Sequence, residues 1–265
     1  MKSRFVELRS LTLGFATALL LAGPATAAEV RVMISGGLSA AYNVLVPEFE
    51  RTTGHKVLTA YGPSMGTTVN AIPIRLERGE AADVVIMVGY ALGDLIQQGK
   101  VKADSRVDLV KSLIGIAVKA GAPKPDIGSP DALKRALLAA KSIAYSDSAS
   151  GVYISTEMFQ RLGIAEAMKD KARKIPAEPV AGVVARGDAE IGFQQFSEML
   201  PIPGIDIVGP LPPELQKSTV FSAGIATVSK EPDAGKALIK FLASPAASAA
   251  IIKSGLEPIA AGGMN

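Results

Sequence analysis

Residues 83–99 read DVVIMVGYALGDLIQQG, and this stretch decides the fold. Asp83–Val88 is nearly all apolar and rich in β-branched residues, as a strand is when helices cover both faces of its sheet. Ala91–Gln98 then predicts a short helix that Gly99 stops. The same strand-then-helix unit occurs twice upstream. Val30–Ile34 predicts a strand and Ala40–Thr53 a helix, with Ala41, Leu45, Val46 and Phe49 on one stripe and Gly54 as its end. Lys56–Ala60 predicts the next strand, and Thr67–Arg78 a helix around Pro73 that ends at Gly79. This βαβαβα order implies a parallel sheet with right-handed crossovers.

A second series follows. Strands are expected at Leu113–Val118, Ile143–Tyr145, Ile191–Gln194 and Ser222–Val228. Helices are expected at Asp131–Ala140, Gly151–Leu162, Val180–Arg186, Asp233–Ala243 and Ala246–Lys253. The Pro-dense stretch Met199–Pro213 is expected to be a surface connection. The sequence carries no internal repeat.

The first residues have the three-part pattern of a secretory leader. Lys2, Arg4 and Arg9 are basic, Leu11–Ala22 is apolar, and Gly23-Pro24 precedes the small residues Ala25-Thr26-Ala27-Ala28. The apolar run is short of the roughly 20 residues that span a bilayer. Residues 1–27 are therefore expected to be a cleavable signal peptide, with the mature chain in the periplasm and not inserted in a membrane. There is no cysteine, hence no disulfide, thiolate metal site or thiol nucleophile. The formal charge is +3 with the leader included, and no run of five or more basic residues occurs, which argues against a nucleic-acid partner. No H-E-x-x-H, Walker A, EF-hand or G-x-G-x-x-G pattern is present, so neither a metal nor a cofactor is expected. The length fits one large domain or two small ones.

Three strand ends run into small, hydroxyl-bearing turns: Ile34-Ser35-Gly36-Gly37-Leu38-Ser39, Tyr61-Gly62-Pro63-Ser64-Met65-Gly66-Thr67-Thr68 and Tyr145-Ser146-Asp147-Ser148-Ala149-Ser150-Gly151. Each is expected to place free backbone N–H groups and a Ser hydroxyl at a helix N-terminus, which attracts anions. Ligands of open α/β sheets sit beyond the carboxyl ends of strands, where these turns lie. Taken singly, Ser39, Thr67 and Ser150 are as well read as helix caps; together the three turns point to a shared anion site. Gly62-Pro63-Ser64-Met65-Gly66 also matches the nucleophile elbow G-x-S-x-G. A hydrolase triad of that kind needs a His after the Ser, and the one His of the chain, His55, precedes it.

Ser35 after the first strand, Ser64 after the second, Gly79–Ile86 leading into the third and Ser146–Tyr153 together resemble the molybdate-type periplasmic binding proteins. The resemblance covers nearly the whole mature chain. It implies a two-lobed α/β fold, each lobe a mostly parallel sheet flanked by helices, with the ligand cleft between the lobes. Lobe one would comprise 28–108 and 222–265, and lobe two 109–221. It implies ligand contacts from the hydroxyls of Ser35 and Ser64 and from backbone N–H groups at Ala149, or a neighbour in 148–151, and at Val180. Where molybdate binders carry a Tyr, this chain has Gln195, preceded by Gln194; an amide pair offers donors and acceptors together and suits a carboxylate better than a tetrahedral oxyanion. Gly36-Gly37 replaces bulkier residues and is expected to leave more room.

The strings MVGYALGDLIQQGKV (87–101), AYSDSASGVYI (144–154) and IGFQQFSE (191–198) resemble a subgroup of this fold that includes periplasmic isomerases of cis- and trans-aconitate. That resemblance implies proton transfer on a small tricarboxylate by a monomeric protein. Asp147, Glu198 and Tyr90 are the candidate acid–base groups. The ligand set comprises Ser35, Gly36, Gly37, Ser64, Met65, Ser148, Ala149, Ser150, Gly151, Val180, Gln194 and Gln195. The alternative class is a passive receptor that hands a small anion to an ABC permease.

Overall fold

The computed structural model describes residues 27–176 and 178–259; the expected leader lies outside the described residues apart from Ala27. The chain first lays down β1 (Glu29–Ile34), α1 (Gly36–Thr53), β2 (Lys56–Tyr61), α2 (Ile72–Glu77), β3 (Val84–Val88), α3 (Gly89–Gln97) and β4 (Val107–Ser112). After Leu113 it enters a second unit of β5 (Ile114–Lys119), α4 (Pro130–Ala139), β6 (Ile143–Ser146) and α5 (Ala149–Tyr153). A π-helical turn, Ile154–Met158, joins α5 to α6 (Phe159–Arg161). Then come α7 (Ala165–Met168), β7 (Ala172–Ile175), α8 (Val180–Arg186), β8 (Ile191–Gln195), α9 (Phe196–Met199) and β9 (Ile205–Pro210). The chain returns through β10 (Thr219–Ile225), α10 (Pro232–Leu242), α11 (Ser248–Lys253) and β11 (Leu256–Pro258).

Two sheets result, in the orders β11-β4-β10-β3-β1-β2 and β7-β6-β8-β5-β9. This is the two-lobed α/β fold, but each sheet is mixed rather than mostly parallel. β1 runs parallel to β2 and β3, whereas β10 is antiparallel to β3 and β4. β6 runs parallel to β7 and β8, and β5 antiparallel to β8 and β9. Parallel pairing needs a long crossover. β10 arrives straight from the second sheet without a crossover helix, which leaves it free to run antiparallel. The expected divisions at 108/109 and 221/222 fall inside β4 and β10, two strands of the first sheet.

All five residues of β3 are buried, as its unbroken apolar run requires. One core gathers Ile34, Leu38, Phe49, Ile86, Leu92 and Leu238; another gathers Ile116, Leu133, Ile143, Met158 and Phe193. Asp83, 2% exposed, ties the first core to the returning chain. Its Oδ1 accepts bonds from the Ser229 hydroxyl and the backbone N–H groups of Lys230 and Glu231 at 2.8–3.0 Å, and its Oδ2 from the Arg31 N–H at 2.8 Å. Burial pushes this carboxyl up, but those bonds outweigh it and hold it below the usual range.

Three local expectations change. The helix expected over 67–78 is confined to Ile72–Glu77, with Pro73 in its first turn, where a missing N–H costs nothing. The stretch 199–213 contains β9, an edge strand flanked by its prolines, a position Pro tolerates. Helix α1 begins at Gly36, four residues before the expected start, so Ser35 is its N-cap and Ser39 lies inside it.

Candidate functional site

A cleft of about 440 Å³ opens between the two sheets. The first unit contributes Ser35, Gly36, Ser39 and Asn43 along α1, and Tyr61, Gly62, Pro63 and Asn70 after β2. The second contributes Ser146, Asp147 and Ser148 after β6, Glu178 and Pro179 before α8, and Gln194, Ser197 and Glu198 at the end of β8. Strand ends and helix starts thus converge on one space.

At its first wall, Ser35 is 3% exposed, its backbone N–H bonds the Ile86 carbonyl at 2.9 Å, and its hydroxyl has no partner among the described residues. A buried hydroxyl left unmade is costly, and this one borders the cleft with its donor unused. Behind it α1 runs for 18 residues, enough for its N-terminus to present a substantial positive end.

The units touch at this wall. The Ser197 hydroxyl donates to the Gly37 carbonyl at 2.7 Å, and the Gln195 amide donates to the Thr219 hydroxyl at 3.0 Å. The room expected at Gly36-Gly37 is occupied. A Cβ on Gly36 would overlap the Glu198 carboxylate, and one on Gly37 the Phe221 ring. These glycines are there for close approach of side chains rather than to enlarge the site.

Three carboxylates, Asp147, Glu178 and Glu198, line the cleft, and no Lys or Arg is among its lining residues. Glu178 is paired with Arg186 at 3.1 Å. Asp147 reaches toward the first unit, its Oδ2 3.9 Å from where a Cβ on Gly66 would stand. Glu198 is partly accessible from the cleft and walled by protein elsewhere. Desolvation pushes its carboxyl up to about 7; a hydrogen bond with Gln194 offsets part of this, and the negative charge of Asp147 adds to it.

Of the residues assigned acid–base or ligand-binding roles from the sequence, Ser35, Gly36, Asp147, Ser148, Gln194 and Glu198 line the cleft, and the others do not. Ser64 is fully buried and its oxygen accepts the Val88 N–H at 3.0 Å. Met65 accepts a bond from the exposed Tyr90 hydroxyl at 3.5 Å. Ser150 and Gly151 are turned inward: the two hydroxyls of Ser146 and Ser150 lie 2.9 Å apart, and the Gly151 N–H donates to Ser146 Oγ at 3.3 Å. Val180 is buried, and Gln195 is 3% exposed with its Oε1 unpartnered. Tyr90 and Ala149 open onto a second cavity of about 650 Å³ that also holds Arg106 and Lys217, each ion-paired, with Asp108 and Glu157. Desolvation pushes the Tyr90 hydroxyl above its ordinary value, away from use as a base near neutrality.

His55 accepts the Ala28 N–H at 3.1 Å at the entrance of β2, the strand whose far end leads to Ser64, so the elbow motif has no triad. Arg75 is bound to Glu80 and the Tyr61 carbonyl, outside the cleft. The sequence reading missed Asn43 and Ser197, and gave Ser39 only a capping role. Ser35, Ser39 and Asn43 stand four residues apart, a polar line along one face of α1 that could have been read once the helix was started at Gly36.

With this geometry in place, residues 30–257 match the family of bacterial extracellular solute-binding proteins, and the chain belongs to that family. Within it, the chain is 50% identical over 261 residues to an aconitate isomerase from a Pseudomonas species, covering 97% of this chain and 99% of that protein. It is 28% identical to the molybdate-binding protein ModA of Azotobacter vinelandii, over 88% of this chain and 91% of that one. Among solved structures, the sulfate-binding protein SubI from Mycobacterium tuberculosis matches with a TM-score of 0.70 at 17% identity, covering 88% of this chain and 87% of that one. The Azotobacter vinelandii periplasmic molybdate-binding protein matches at 0.66 and 20%, covering 86% and 98%. At those identities the structural likeness shows the fold.

Proposed function

We propose that this protein interconverts cis- and trans-aconitate, holding the tricarboxylate in the cleft between its two sheets. The observation that carries this reading is the 50% identity, over nearly the full length of both chains, to the Pseudomonas aconitate isomerase. The cleft chemistry agrees with it. Moving the double bond requires a proton to leave the methylene carbon and another to join the far carbon of the allyl system. That needs an acid–base group and fixed donors on the charge that develops. The cleft offers carboxylates for the first role. For the second it offers the α1 N-terminus, the Ser35 hydroxyl and the amide of Gln194. Ser35, Gly36, Ser148 and Gln194 are assigned direct contact with the ligand. Gly37, Ser64, Met65, Ala149, Ser150, Gly151, Val180 and Gln195 support the turns that make those contacts. The lobes divide at Leu113 and in the connection between β9 and β10. The protein acts as a monomer in the periplasm after removal of the leader 1–27.

Incubating the purified protein with cis-aconitate and separating the isomers tests the reading. Conversion toward trans-aconitate is expected, together with a thermal shift on adding either isomer, since a ligand that binds only the native state stabilises it. Tight binding with an isomer ratio unchanged over hours would leave the receptor reading, in which the anion is passed to an ABC permease. A thermal shift with molybdate and none with any carboxylate would overturn the ligand class as well.

A further inference from the structure

The isomerase reading requires one group that takes a proton from one carbon and returns it to another, and three carboxylates face the cleft. We propose that Glu198 is that group, and that the Gly36 backbone is its seat. The inference rests on the isomerase reading above. Glu178 is held by Arg186. The Asp147 carboxylate approaches Gly66, in the turn after β2. Glu198 is the carboxylate built against the start of α1, at Gly36. Its neighbour Ser197 pins α9 to the start of α1 through the Gly37 carbonyl. The Glu198 carboxylate then fills the space that a side chain at position 36 would take. It lies over the first turn of α1, one residue from the unpartnered Ser35 hydroxyl, where a ligand carboxylate is drawn in.

The protonation state fits the role. A carboxyl raised to about 7 is present in both forms near neutral pH, where a general base works best. Gln194 bonds its side chain, Asp147 faces it from the turn after β6, Glu178 and Tyr61 line the same cleft, and no Lys or Arg does. In the proposed step the Glu198 carboxylate accepts a proton from the methylene carbon, and the C–H electron pair spreads over the three-carbon allyl unit and its carboxylates. The protonated Glu198 then gives its proton to the other terminal carbon, the double bond having moved by one position. Glu198 returns to carboxylate, and nothing is oxidised or reduced.

Steady-state conversion of cis-aconitate by the wild-type protein and the Glu198→Gln and Asp147→Asn variants, from pH 5 to 9, tests this. Glu198→Gln is expected to lose about 10²–10⁴-fold in kcat, the range of a general base, with KM little changed, since the amide keeps the shape. In the wild type, kcat/KM should rise with pH through about 7. Asp147→Asn should lose less and move that rise to lower pH, because a like charge has been removed. Glu198→Gln turning over within about tenfold of wild type overturns the proposal, as does a wild-type kcat/KM that is flat across the range. If circular dichroism shows Glu198→Gln misfolded, the wild-type profile and the Asp147→Asn shift decide the matter. A wild type that binds aconitate without converting it overturns the isomerase reading itself. An active wild type with an active Glu198→Gln overturns only the assignment of the proton carrier.

Discussion

The turn after β1 and the turn after β6 are built from the same small residues, yet their polar groups do opposite things. After β1, the Ser35 hydroxyl is buried without a partner, and the glycines beside it are crowded by side chains from the second unit and β10. After β6, Ser146 and Ser150 bond each other, the Gly151 N–H bonds Ser146, and Gly151 is crowded by the backbone of its own turn, at the Ser146 carbonyl. The first turn therefore keeps an unused hydroxyl at the cleft. The second is closed on itself and presents only Ser146, Asp147 and Ser148 at its rim. A serine at a strand end does not by itself make an anion site; what decides is whether the fold leaves its hydroxyl a donor to spare.

The sharpest way to break this contrast is a side chain at Gly151. Any Cβ there meets the Ser146 carbonyl, a backbone atom that cannot swing aside. Gly151→Ala should cost at least the ~3 kcal/mol at the upper end of ordinary overpacking, a fall in Tm on the order of 10 °C, measured by thermal denaturation. Gly151→Asp, which would place a negative charge at this turn, should unfold the turn before it repels a ligand.

A smaller loss is expected from Ser146→Ala. It removes the acceptor of the Gly151 N–H and the partner of Ser150, and leaving buried groups unmade costs about 1–3 kcal/mol. The urea midpoint should fall with the m-value unchanged. Ser35→Ala should do the reverse: about a tenfold loss in aconitate affinity by calorimetry, equivalent to roughly 1.4 kcal/mol, with Tm held or slightly raised, because no bond inside the protein is lost. Equal effects of Ser35→Ala and Ser146→Ala on stability would erase the distinction between the turns.

A further effect is one of pH on the ligand-free protein. Glu198 in the folded state holds its proton up to about 7, above its ordinary value of 4.5. Between those values the folded state binds more protons than the unfolded one, so this group's contribution to stability is lost as pH rises through about 7. Glu198→Gln should lack that decline. Its Tm relative to wild type should be higher at pH 8 than at pH 5.

Much of this molecule was legible along the chain. The all-apolar run of β3 forced a sheet covered by helices, and strand ends followed by Ser and Gly marked the cleft between the sheets. That brought Ser35, Asp147, Ser148, Gln194 and Glu198 to the cleft, because strand direction and helix start are local properties. β7 was missed because it is short and half-polar, and β9 because its prolines masked the pattern; β4 and β11 were not read from the sequence either. What only the tertiary structure decided was the state of each group. Ser64, a residue of the same kind as Ser35, finds the Val88 N–H at the end of β3, while Ser35 finds no partner among the described residues. Gly36 and Gly37 make room that Glu198 and Phe221 then fill, and the proton affinity of Glu198 follows from the walls that remove its water. Sequence sets which groups a turn carries; hydrogen-bond partners and desolvation depend on atoms far away in the chain, and those are fixed only when the two sheets come together.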